Sequence, residues 1–80
     1  MHIEEIEKRV IECVSEQMCV GKESLSRDTH LVNDLNTDSL DTVELVMELE
    51  DVFDMVISDN DERILQTIGQ IIDYIYAHKQ

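Results

Sequence analysis

Apolar side chains return every third or fourth residue through separate stretches of this chain, a spacing that restricts it to packed helices. Ile3, Ile6, Val10, Cys13 and Val14 share one face of a first helix, predicted over about His2 to Met18 and stopping near Val20-Gly21. Thr42, Leu45, Val46, Leu49 and Phe53 share the core face of a second, over about Ser39 to Phe53. Thr67 and Gln70 have the spacing of a capping box for a last helix, which carries Ile68, Ile71, Ile72 and Ile75 on one face and runs to about His78. Between these, Ser58 offers a cap for a short helix through Leu65, with Ile57, Ile64 and Leu65 pointing inward. Nothing alternates with the two-residue period of a strand, and no proline occurs. The expected fold is all-α: a small four-helix bundle with a short third helix and a long loop, residues 20 to 38, between the first two. Leu25, Leu31, Val32 and Leu35 must pin that loop to the core, since a free loop of such length is unusual in a small domain.

Eighty residues make one domain, 1–80, too small for an elaborate catalytic cleft. Such a chain buries only about 60% of its unfolded surface, so modest stability is expected. The net charge is −13, and residues 28 to 62 hold twelve of the nineteen acids with no Lys or Arg among them. Nucleic acid and anionic membranes are therefore poor partners, and basic protein surfaces good ones. No apolar run has the length of a membrane span or a signal-peptide core, and acids occur from Glu4 onward. The expectation is a cytoplasmic protein with no membrane insertion.

Cys13 and Cys19 stand about 9 Å apart along a continuous helix, too far for a disulfide, and read as free thiols, Cys13 in the core and Cys19 exposed. Nothing places Cys19 beside His30 as a thiol catalyst, and His30 reads as a lone surface histidine. Asp59-Asn60-Asp61 begins like a calcium loop, but Arg63 takes the next ligand position and Ile64 replaces the required glycine. No catalytic residue and no metal site is expected.

The chemistry concentrates at Asp38-Ser39-Leu40-Asp41. Asp38 is a good N-cap, and Asp41 three residues later can close a capping box, so Ser39 falls in the first helical turn, exposed and reachable. A phosphate ester there would lie near unpaired backbone N–H groups and the positive end of the helix dipole, partly opposed by Asp38 and Asp41. By itself the tripeptide reads more readily as a plain helix cap, since caps are common and three-residue matches are cheap. Leu40, Val43 and Met47 form a second apolar stripe turned away from the core face and bordered by Asp41, Glu44, Glu48 and Asp51. A small domain could bury that stripe; beside an exposed serine it reads better as a docking strip, with apolar anchors and carboxylates that steer a basic partner.

The run from Asp38 to Glu50 closely resembles the prosthetic-group attachment site of acyl carrier proteins, and the likeness extends over the whole helical layout to Ile72-Asp73-Tyr74-Ile75. It is strongest from Asp34 to Asp54 and closest to the discrete carriers of bacterial-type fatty-acid synthesis. The resemblance implies a monomeric carrier that performs no chemistry alone. Ser39 would bear phosphopantetheine, transferred from coenzyme A by a phosphopantetheinyl transferase, and acyl groups would ride on its thiol as thioesters. Docking to the transferase and to acyl-processing enzymes would fall to Asp38, Leu40, Asp41, Val43, Glu44, Met47, Glu48 and Asp59. Asn36 replaces a usual glycine, Ser58 a usual proline, and Val56 and Arg63 stand where acids are frequent. These changes leave the attachment chemistry intact and alter the surface around the third helix, so a carrier dedicated to polyketide, modified-lipid or aminoacyl transfer is the first alternative. The second, from another class, is an unmodified acidic helical adaptor that binds basic proteins.

Overall fold

The structure is a computed structural model describing residues 2–79. Four α-helices follow in order: α1 Ile3–Met18, α2 Ser39–Phe53, α3 Asp59–Glu62 and α4 Ile68–His78, with a single 3₁₀ turn, Lys22–Ser24, in the connection before α2. The apolar stripes meet as their spacing requires. Ile6, Val10 and Val14 of α1, Leu45 and Leu49 of α2, and Ile68, Ile72 and Ile75 of α4 are fully buried, and α1 packs against both α2 and α4. The four-helix architecture follows from three faces that can exclude water only against one another.

Helix ends depart from the expected punctuation. Cys19, not Gly21, takes the left-handed conformation that ends α1 (φ 56°), and Gly21 is extended at φ −69°. Asp54 ends α2 in the same way, at φ 50°. A left-handed residue at these stops lets its N–H bond back to an otherwise unpaired carbonyl, Ser15 O for Cys19 and Glu50 O for Asp54. The α4 capping box is present, with Gln70 N–H donating to Thr67 Oγ1 and Thr67 N–H to Gln70 Oε1.

Leu25 and Leu31 are buried and Leu35 packs against the core, but Val32 is 53% exposed, contrary to expectation. Backbone hydrogen bonds do the remaining pinning. Leu31 N–H donates to Gln66 O (2.9 Å), Ile68 N–H to Thr29 O (3.1 Å) and Gly69 N–H to Arg27 O (2.9 Å). That last approach is why residue 69 is glycine: a Cβ there would sit 2.9 Å from Arg27 O. The Arg27 guanidinium then reaches Asp73 at 2.7 Å and Glu7 at 3.9 Å, tying the loop to α4 and α1. His30 is no idle surface residue: its Nδ1 accepts the N–H groups of Val32 and Asn33, while its own N–H donates to Asp34 Oδ2 at 2.7 Å, folding the turn that precedes the serine.

The third helix is one turn shorter than expected, and its own residues are not buried. Ile57 and Leu65 on either side enter the core, but Ile64 is 61% exposed. The helix stops at Glu62, so the helical period that would have turned Ile64 inward does not reach it. Two polar ties hold the segment. Ile57 N–H donates to Glu50 Oε2 (2.8 Å), and Tyr74 OH donates to Asp61 Oδ2 (2.7 Å).

The second tie makes a pH prediction. The hydrogen bond to Asp61, with desolvation and the Asp61 charge, pushes the Tyr74 phenol up to about 12. A folded-state pKa above the unfolded value of about 10 contributes stability in full below pH ~10, and loses it as pH rises toward 12. Ultraviolet titration should show one tyrosine ionising near 12, and Tyr74→Phe should remove it while lowering hydrogen-exchange protection in residues 58–66. A spectrum with no late-ionising tyrosine would show that the tie does not form.

Candidate functional site

Asp38 is the N-cap of α2, and the local chemistry around it is reciprocal. Asp41 N–H donates to Asp38 Oδ1 (2.9 Å), and Asp38 N–H donates to Asp41 Oδ2 (3.3 Å). Thr42 returns both its N–H and its hydroxyl to Asp38 O, each at 3.1 Å. These bonds satisfy the N–H groups of Asp41 and Thr42 and leave those of Ser39 and Leu40, at the helix start, to solvent. Asn36 stands at φ 54°, the left-handed conformation that asparagine tolerates, and turns the chain into the helix. Ser39 is exposed, and its hydroxyl makes no hydrogen bond among the described residues. Capping is done by the carboxylates beside it, so the hydroxyl is free to react.

A groove runs from Ser39 between the start of α2 and the short α3. Thr37, Asp38, Ser39, Val43, Asp59 and Arg63 are among its lining residues. Asp59 is therefore brought to the same groove as Asp38 from a different helix. Leu40, Val43 and Met47 are 64%, 44% and 59% exposed, so the second apolar stripe of α2 does remain in solvent beside the serine. The bordering acids divide by side. Glu44 accepts a hydrogen bond from Gln17 Nε2 of α1 (2.9 Å), and Glu48 lines a separate depression between α1 and α2 with Lys8, Arg9 and Cys13. Asp41 is partly covered by its capping role.

Both cysteines are free, Cys13 buried and Cys19 exposed. Burial, with Glu48, Glu16 and Glu12 nearby, pushes the Cys13 thiol up to about 11, so at neutral pH it is a protonated core residue. Among the described residues no three His, Cys, Asp or Glu side chains come together as a metal-binding group, and no helix is long and apolar enough to cross a membrane.

Two features escaped the sequence. Arg63, the only Lys or Arg between residues 28 and 78, lies in the groove beside Ser39, and no α3 periodicity could place it there. Thr37 is buried, and its Oγ1 has no hydrogen-bond partner among the described residues. Burying an unpaired hydroxyl costs about 1–3 kcal/mol. The isosteric change Thr37→Val should accordingly raise the melting temperature of the unmodified protein. A fall would mean that the hydroxyl has found a partner.

A family model described as the phosphopantetheine attachment site matches residues 8–75. The chain is also 41% identical over 76 residues, 95% of each chain, to a protein of Lactobacillus johnsonii named "Acyl carrier protein". The site suits a phosphopantetheine arm on three counts: a free exposed hydroxyl at a helix start, a groove leading from it, and one cation, Arg63, among the residues lining that groove.

Proposed function

Because this chain belongs to the acyl carrier protein family, with phosphopantetheine as its prosthetic group, we propose that Ser39 is the attachment point and that the exposed face of α2 is the docking surface. The protein is a carrier and not a catalyst. The single observation that carries the assignment is the uncommitted Ser39 hydroxyl at the first turn of α2, beside a cap made by other side chains. A transferase would direct Ser39 Oγ onto the coenzyme A pyrophosphate: the serine O–P bond forms, the P–O bond to the adenosine bisphosphate half breaks, and the hydroxyl proton passes to a base of the transferase. The bound group then supplies a terminal thiol on which acyl chains are held as thioesters. The chain's own residues supply the address. Its acids draw basic enzyme surfaces, while Leu40, Val43 and Met47 offer apolar contact.

Fatty-acid synthesis is the pathway we assign, with residues 1–80 acting as one monomeric carrier domain in the cytoplasm, where an exposed Cys19 stays reduced. Intact mass after incubation with coenzyme A and a transferase tests the carrier reading: one phosphopantetheine per chain supports it, and no increment returns the chain to the unmodified-adaptor reading.

The docking face makes its own prediction. Glu44→Lys should slow association with a basic partner several-fold at low salt, the difference shrinking as ionic strength rises. Met47→Ala should weaken binding about tenfold, or ~1.4 kcal/mol, at every salt concentration, because it removes apolar contact. Surface plasmon resonance across a salt series separates the two effects, and two unchanged variants would move the interface off α2.

A further inference from the structure

Arg63 stands alone in a strongly acidic neighbourhood. Asp59 and Glu62 precede it by four residues and one, and Asp38 and Asp59 share its groove. Four residues is the spacing at which a helical ion pair forms. Yet the ion pairs among the described residues belong to Arg27, and the exposed Arg63 guanidinium makes neither a salt bridge nor a hydrogen bond. Its charge is therefore available to another group. The same groove is lined by Ser39, whose side chain is exposed and whose hydroxyl is uncommitted.

Resting on the assignment of Ser39 as attachment point, we propose that Arg63 is the internal anchor for the phosphodiester formed there, directing the arm into the groove between α2 and α3. A phosphodiester carries one negative charge. Placed on Ser39 between Asp38 and Asp41, it is repelled by carboxylates and helped only by the helix start. A guanidinium offers paired N–H donors that match two phosphate oxygens, in a contact that a lysine ammonium reproduces in charge but not in geometry. Arg63 is thus a positioning residue. It biases where the arm lies and leaves the bond-making at Ser39 untouched, and it does so from the residue that caps the C-terminal end of α3.

The experiment uses the protein carrying its arm, with mass spectrometry first confirming one phosphopantetheine per chain. The ³¹P resonance of the phosphodiester is then compared among wild type, Arg63→Lys and Arg63→Gln at low salt and at 1 M salt. The Arg63 Nε–H resonance is followed before and after attachment. Anchoring requires that the ³¹P signal of wild type differ from Arg63→Gln at low salt and that Arg63→Lys fall between them. The difference must also collapse at 1 M salt, where screening acts over roughly 3 Å, and the Arg63 Nε–H signal must move on attachment. Arg63 is exposed and unpartnered, so neither substitution threatens the fold. Identical ³¹P signals in wild type and Arg63→Gln overturn the proposal, as does a difference that Lys and Gln share equally and salt leaves unchanged. Failure to attach any arm to the wild type would remove the Ser39 assignment itself, an outcome visible in the mass before any resonance is recorded.

Discussion

Ser39→Ala is expected to abolish phosphopantetheine attachment completely while leaving the fold as it was. The loss follows from chemistry: alanine has no oxygen to attack phosphorus, and no neighbouring hydroxyl can replace it. Thr37 is buried, and Thr42 is turned back onto Asp38 O. The nearest analogue in local structure is Ser58, also exposed at a helix start, but there the serine is itself the cap and its Oγ accepts the N–H of Asp61 at 3.2 Å. Stability should be unaffected because the Ser39 hydroxyl makes no bond among the described residues, and Asp38 with Asp41 keeps the capping box. Alanine also has the higher helix propensity, so the change should stay within about 0.5 kcal/mol. Intact mass and circular dichroism on the variant check both halves. A mass increment persisting in Ser39→Ala would sink the assignment.

That contrast between Ser39 and Ser58 marks how far the site was legible in the residues. Caps and capping boxes are made within four residues, so the Asp38–Asp41 and Thr67–Gln70 pairs could be read directly, as could the buried faces of α1, α2 and α4, whose period persists over three turns or more. What could not be read is whatever pairs distant positions. Arg27 with Asp73, 46 residues apart, and Tyr74 with Asp61, 13 apart, are set by how the helices pack, and nothing local announces them. Val32 and Ile64 are exposed against expectation for a related reason: both lie outside regular helix, where no period says which way a side chain turns. Arg63 combines both difficulties. In sequence it is a departure from the acids usual near the third helix, and only the fold brings it to the groove of Ser39.

Phe53→Ala should be the most damaging single truncation of the core, and its contrast with Met47→Ala separates folding from docking on one helix. Phe53 is the only phenylalanine of the chain, is 2% exposed, and is among the largest fully buried side chains. It ends α2 where Asp54 adopts its left-handed turn, so the backbone around it has little freedom to collapse into the space left behind. Removing a buried phenylalanine costs about 3–5 kcal/mol, the lost transfer energy plus the cavity. A domain of this length is stable by only about 4–12 kcal/mol at 0.05–0.15 kcal/mol per residue, so the variant should be substantially unfolded or near its threshold. With a urea slope of ~1 kcal/mol per molar, the denaturation midpoint should fall by about 3–5 M. Met47 lies six residues earlier on the opposite, solvent-facing stripe and is 59% exposed, so its truncation should leave the midpoint nearly unchanged while weakening partner binding. Urea titrations of the two variants decide the matter. Equal midpoints would mean that the α2 stripes do not divide into a core face and a docking face, and the assignment of Leu40, Val43 and Met47 to partner contact would fall with that division.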